Sequence, residues 1–154
     1  MLLKDTNAED TSDVRGIITS DGGLAIKMLN DTGANSVKGT LVESSADVDN
    51  GFVVCGVSSN KVIGVVYEDG LPDGTDVFVV ISGCAKVLLK DGTTATHGYW
   101  VVPSDTAGRA DATQNIPTGG QLQDHELHFH EVGHCTDTKE AGTDVLARCI
   151  IHFN

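Results

Sequence analysis

Five short dipeptides constrain this chain more than any other feature: Asp21-Gly22, Asn50-Gly51, Asp69-Gly70, Asp73-Gly74 and Asp91-Gly92. In each, a side chain short enough to hydrogen-bond its own backbone precedes a residue without a Cβ. That pairing favours positive φ and tight turns. Between the turns lie short runs rich in β-branched residues, which suit a pleated, half-buried surface. The pattern predicts strands at Val14–Thr19, Leu24–Leu29, Val37–Glu43, Phe52–Val57, Val62–Tyr67, Val77–Ser82, Ala85–Leu89, Tyr99–Val102, Glu131–Cys135 and Val145–Phe153. No stretch sustains a helical stripe over three turns. The expected architecture is therefore all-β, a single-domain β-barrel or β-sandwich.

The last of these runs alternates most clearly. Val145, Ala147, Cys149, Ile151 and Phe153 fall on one face, while Arg148, His152 and Asn154 fall on the other. By contrast, "VFVVIS" (Val77–Ser82) is apolar on both faces, as expected of a strand held between two layers. Two regions lie outside the strand pattern. Residues 1–13 read as a flexible, extended N-terminal arm, and 14–154 as the β domain. Residues 103–127, with Pro103, Gly108, Pro117 and Gly119-Gly120, read as one long exposed loop.

Composition narrows the partners. Lys and Arg total 10 against 22 Asp and Glu, a net charge of −12. Such a surface repels phosphate backbones and anionic membranes, so neither nucleic acid nor a membrane is an expected partner. Cys55, Cys84, Cys135 and Cys149 include no C-x-x-C pair, and three of the four sit in apolar runs. They are expected to be free buried thiols. The first residues, "MLLKDTNAEDTSD", lack the apolar stretch of a secretory signal, which points to synthesis in a cytoplasm.

The sequence His130-Glu131-Val132-Gly133-His134 matches H-E-x-x-H, a zinc-hydrolase signature. That motif works on a helix, where residues four apart share a face and the intervening Glu reaches a metal-bound water. Here the segment runs into the turn-like "CTDTKEAGTDV", and Asp137 and Glu140 stand where an extended motif would carry Gly and His. In a strand, His128, His130, Val132 and His134 would share one face and Glu131 would point away from them. The expectation is no catalytic residue and no cofactor, with His128, His130 and His134 as a remote candidate metal set. Asp47–Gly51 ("DVDNG") places a Gly where a calcium loop needs its third ligand and reads as a hairpin turn. Asn30-Asp31-Thr32, a formal glycosylation sequon, also reads as a turn. Tyr99 and Trp100 are expected to pack the core at a strand start. There is no G-x-S-x-G elbow and no phosphate-binding glycine loop.

The runs "AIKMLNDTGANSVKGTLV", "GVVYEDGLPDGTDVFVVISGCAKVLLKDGTTATHGYWVV" and "EVGHCTDTKEAGTDVLARCIIHFN" resemble the small capsid decoration (cement) proteins of tailed bacteriophages. The similarity spans roughly residues 22–102 and 131–154 and lies in glycine positions and the closing "HFN". It implies a non-enzymatic β protein on the outer surface of a virion. Such proteins stabilise the head by bridging neighbouring major capsid proteins, typically as homotrimers at threefold or quasi-threefold positions. On that reading, Met1, Leu2, Leu3 and Lys4 are candidate capsid-contact residues, with the two leucines as apolar anchors that order on binding. Two other functions remain open at this point. One is a host- or glycan-binding β-sandwich using the 103–127 loop or the Trp100 region. The other is the zinc hydrolase of the HEVGH match.

Overall fold

The structure, a computed structural model, describes residues 14–114 and 130–153, together with Leu2–Lys4; for Leu2–Lys4 and Val14 it describes the backbone alone. The described residues form eleven strands and no helix. They are β1 (Leu2–Lys4), β2 (Val14–Ile18), β3 (Gly23–Asn30), β4 (Leu41–Ser44), β5 (Gly51–Val54), β6 (Gly64–Val66), β7 (Asp76–Leu88), β8 (Trp100–Pro103), β9 (Ala110–Thr113), β10 (Gly133–Cys135) and β11 (Leu146–Ile151). The expected all-β class is observed. The turn dipeptides act as their chemistry requires. Gly22, Gly70, Gly74 and Gly92 adopt φ of 94°, 77°, 75° and 81°. At Asn50-Gly51 the asparagine takes the left-handed conformation instead (φ 56°), and the glycine opens β5.

The strands form one sheet in the order β1-β2-β3-β5-β4-β6-β7-β11-β10-β8-β9, and β3 also pairs with β7. That extra pairing returns the ladder β3-β5-β4-β6-β7 to its start, so these five strands wrap around a core. The remaining strands, β11, β10, β8 and β9, continue outward from β7. The whole is sandwich-like rather than a single closed barrel. All pairings are antiparallel except β3 with β5.

β7 organises this arrangement. Val77 and Val79 face one buried cluster with Met28, Val42, Phe52 and Val66. Phe78 and Val80 face the other, with Ala25, Leu41, Val65, Val101 and Ile151. An apolar residue on each face is therefore needed, as "VFVVIS" suggested. Against β3, Leu24 pairs with Ser82 but Ala25 pairs with Val80, so Ile81 is an inserted residue with no partner on β3. One inserted residue reverses which side chains point inward. Ala85 and Val87 accordingly face the same cluster as Val80. Beyond Gly83, β7 is registered with β11, with Ala85 opposite Cys149 and Val87 opposite Ala147. The two runs expected as separate strands, Val77–Ser82 and Ala85–Leu89, are thus one bent strand. Burying each fully enclosed valine contributes about 1.5–3 kcal/mol.

Two regions outside the expected strand pattern contain strands. Leu2–Lys4, expected within the extended N-terminal arm, pair antiparallel with β2, Leu2 with Ile17 and Leu3 with Gly16. The outer edge of β2 would otherwise present open N–H and C=O groups, which a short strand satisfies. Met1 and residues 5–13 lie outside the described residues. Within the expected 103–127 loop, Ala110–Thr113 form β9 and pair with β8. The intervening turn is held by Ser104 N–H to Arg109 O (2.9 Å) and Thr106 N–H to Ser104 Oγ (3.0 Å). Arg109 pins it further, reaching Leu89 O, Asp91 (2.8 Å) and Asp144. Residues 115–129, the rest of that loop, lie outside the described residues.

The four cysteines are free thiols, with Cys55, Cys135 and Cys149 buried and Cys84 partly exposed. Cys135 and Cys149 are registered partners across β10 and β11, with sulfurs 3.8 Å apart. The contact with Cys135, then burial, pushes the Cys149 thiol well above its ordinary range; burial also raises the Cys55 thiol. A thiol-exchange reagent added to native protein is therefore expected to titrate one cysteine quickly, Cys84. The other three should react only at the rate of unfolding, and all four at once in denaturant.

Candidate functional site

The HEVGH segment does not form a helix. His130 lies in a turn, Glu131 and Val132 precede the strand, and β10 begins at Gly133. β10 is seated between two neighbours, with His134 opposite Trp100 of β8 and Ile150 of β11. Two further backbone bonds fasten its approach: Val132 N–H to Val101 O (2.8 Å) and His152 N–H to Val132 O (2.9 Å). Gly133 is required by the closeness of β11, because a Cβ there would lie 2.1 Å from Ile150 O.

This entry geometry overturns the expected side-chain alternation. Val132 is buried in the core rather than sharing a face with His134. Glu131, expected to point away from His134, brings Oε1 to 2.8 Å from His134 Nε2. The regular strand ladder starts only at Gly133, so period-two alternation cannot be projected back onto residues 130–132. The same Oε1 lies 3.3 Å from Nε2 of His152, which follows β11 on its outward face. The Glu131 side chain is 2% exposed, whereas those of His134 and His152 are 40% and 43% exposed. A buried carboxylate oxygen thus sits beneath two imidazoles that open to solvent.

The rings are braced as well as gathered. Trp100 meets His134 edge-on, with centroids 5.4 Å apart and planes at 77°. The His134 and His152 rings lie 5.4 Å apart at 43°. Trp100, expected in the core, is instead half-buried on the outward face beside this cluster, while Tyr99 packs against the core. Of the two sequence-proposed histidines that the structure describes, His134 joins the cluster and His130 does not. His130 lines a small adjoining pocket with Ser59, Asn60, Val62, Glu131, Val132 and Phe153, and His128 lies outside the described residues. His152 was missed as a ligand candidate. Its one signal was that it points outward from the final strand.

Chemically, Glu131, His134 and His152 are two imidazole nitrogens and a carboxylate oxygen, all within 4.8 Å of one another. Such a set could donate to a metal ion. In the H-E-x-x-H arrangement the Glu is the base; here it lies among the donors. The other sequence candidates resolve as turns. Asn30 is buried, its amide donating to Ala34 O (2.8 Å) and its Oδ1 accepting from Thr32 Oγ1 (2.7 Å), so the sequon is a closed turn. In the Asp47–Gly51 segment, Ser45 Oγ accepts from the N–H groups of Asp47 and Val48, both at 3.1 Å, again a turn. An apolar cleft of about 140 Å³ between Ala34, Val37, Val42, Phe52 and Val54 has no titratable lining residue, so it offers shape rather than chemistry.

Comparison with known proteins adds a fold. No family model matches the chain, and no curated protein matches it. Among solved structures, the chain is similar to the N base of the head fibre protein gp8.5 of bacteriophage phi29. The TM-score is 0.51 at 15% identity, over 83% of this chain and 92% of that one. At that identity the likeness is one of fold. It extends over nearly all of the neighbour's domain.

Two substitutions test the reading of this segment. Gly133→Ala is expected to cost about 3 kcal/mol or more, lowering Tm by roughly 6–12 °C in a domain of this size, because β10 and β11 must separate. His130→Ala should change stability by less than about 0.5 kcal/mol. Thermal unfolding of both variants measures the contrast.

Proposed function

We propose that this chain is a structural, non-enzymatic virion protein. It sits on the outer surface of a tailed-phage capsid and stabilises the lattice by bridging major capsid proteins. The observation that carries the reading is the fold likeness to the phi29 head-fibre base, which takes in most of both chains. The sequence resemblance to decoration proteins, with no catalytic signature, supports the same class. So does the physical character of the molecule. A continuous sheet with a valine-rich core is a rigid body, and a charge of −12 keeps it soluble at the concentrations virion assembly demands.

Homotrimeric association at threefold positions belongs to this proposal on the strength of the resemblance. Multivalent attachment to a repeating lattice lets many modest contacts sum to high occupancy. Residues 1–4 remain the proposed capsid-contact segment. Because β1 is the outermost strand in the sheet order and pairs with β2, its removal leaves the other strand pairings in place while removing that contact.

The test is reconstitution of purified protein with expanded capsids lacking it, followed by cryo-EM. Density for this fold on the outer lattice, together with a solution mass three times the chain's 16.1 kDa, is expected. Deleting residues 1–13 should lower occupancy and leave the circular dichroism spectrum and Tm nearly unchanged. Absence of capsid binding combined with binding to host glycans would replace the proposal with a receptor-binding role.

A further inference from the structure

We propose that Glu131, His134 and His152 form a binding site for a zinc-class transition-metal ion. Glu131 Oε1 and the two Nε2 atoms are its ligands, and water completes the shell on the open side.

The donor set selects the metal. Two imidazoles with a single carboxylate suit zinc, copper or nickel; calcium and magnesium demand an oxygen-rich shell. The spacing suits it too. A tetrahedral ion bound at ~2.0–2.1 Å separates its ligands by about 3.3 Å. The Glu131–His152 separation is 3.3 Å, the Glu131–His134 separation is 2.8 Å, and no pair of ligand atoms exceeds 4.8 Å. Ligation thus requires the two imidazoles to shift by fractions of an ångström to an ångström or so, and no backbone rearrangement.

Each ligand is also held by its surroundings. Glu131 is buried at the entrance to β10. The backbone bond from His152 N–H to Val132 O locks the residue after β11 to the residue beside Glu131. Trp100 limits the rotation of the His134 ring. The two imidazoles are 40% and 43% exposed, so an ion enters from solvent between them and meets the buried carboxylate below. The bound ion ties the approach to β10 to the segment after β11. It is a staple across residues 21 positions apart in sequence, and it gives the H-E-x-x-H string a non-catalytic use in which its Glu and second His are ligands and its first His is not.

The experiment uses untagged, chelator-treated full-length protein titrated with zinc chloride by calorimetry and thermal unfolding. One zinc per chain is expected, with a Tm rise of about 5–10 °C at a hundredfold excess of free zinc over Kd. Substituting cobalt(II) should give the intense visible absorption of a tetrahedral site. His152→Ala and the near-isosteric Glu131→Gln, each confirmed folded by circular dichroism, should weaken binding by more than about a hundredfold, beyond what losing a ligand's hydrogen-bonding partner costs. His130→Ala should bind as the native chain does. No zinc uptake at micromolar metal would overturn the site. So would binding that survives His152→Ala, which would mark an adventitious ion on surface histidines, or binding lost in His130→Ala.

Discussion

A single unpaired residue, Ile81, sets the geometry on which the rest of the molecule depends. β7 must serve two cores in its first half and a different neighbour in its second half. A regular strand cannot do this with the side chains present. Without the insertion, Ala85 and Val87 would turn to the face opposite Val80, and Lys86 would be driven toward the core. The bulge reverses the phase once, and Gly83, with φ of 84°, lets the chain pass within contact of Gly22 and Gly23 while β7 bends. β11 then finds a correctly phased edge, β10 pairs with β11, and the outward face carrying Trp100, His134 and His152 comes into existence.

Much of this was legible in the order of residues. The Asp-Gly and Asn-Gly turns, the strand-length apolar runs and the alternation of Ala147, Cys149 and Ile151 are local signals, and local chemistry decides them. β1 and β9 were illegible for a different reason. "LLK" and "ADAT" carry no pattern of their own and become strands only because β2 and β8 offer open edges. The fusion of two apolar runs into β7 was hidden because Gly83 reads as a breaker, and only the paired strands on each side show that it bends rather than ends the strand.

The Glu131 cluster shows the same limit more sharply. The sequence places His128, His130 and His134 together by counting, but counting assumes an uninterrupted strand. Gly133 admits β11 closely and the strand register begins there, with Val132 bonded to Val101 and His152 on the approach. Glu131 is thereby turned toward His134, and the third member arrives from residue 152 through cross-strand register. A motif defined by spacing on a helix was met by a set of donors defined by spacing across a sheet. The phage-head reading is insulated from this question, since it rests on the overall fold and on glycine positions rather than on any catalytic group.

The position of β11 has a kinetic consequence. Within the ladder, β10 and β8 reach β7 through β11, while β9 also meets the residue after β7 directly, Ala110 bridging Leu89, and the β8–β9 turn bonds to Leu41 and Cys55; all three strands precede β11 in the chain. The β8–β9 pairing is local in sequence, whereas β10 and β11 join partners tens of positions away. Interleaving of this kind makes the crucial contacts distant in sequence and raises the entropy lost before any of them is rewarded. The full sheet is therefore completed only by β11, the last strand in the chain, which ties β10 to β7.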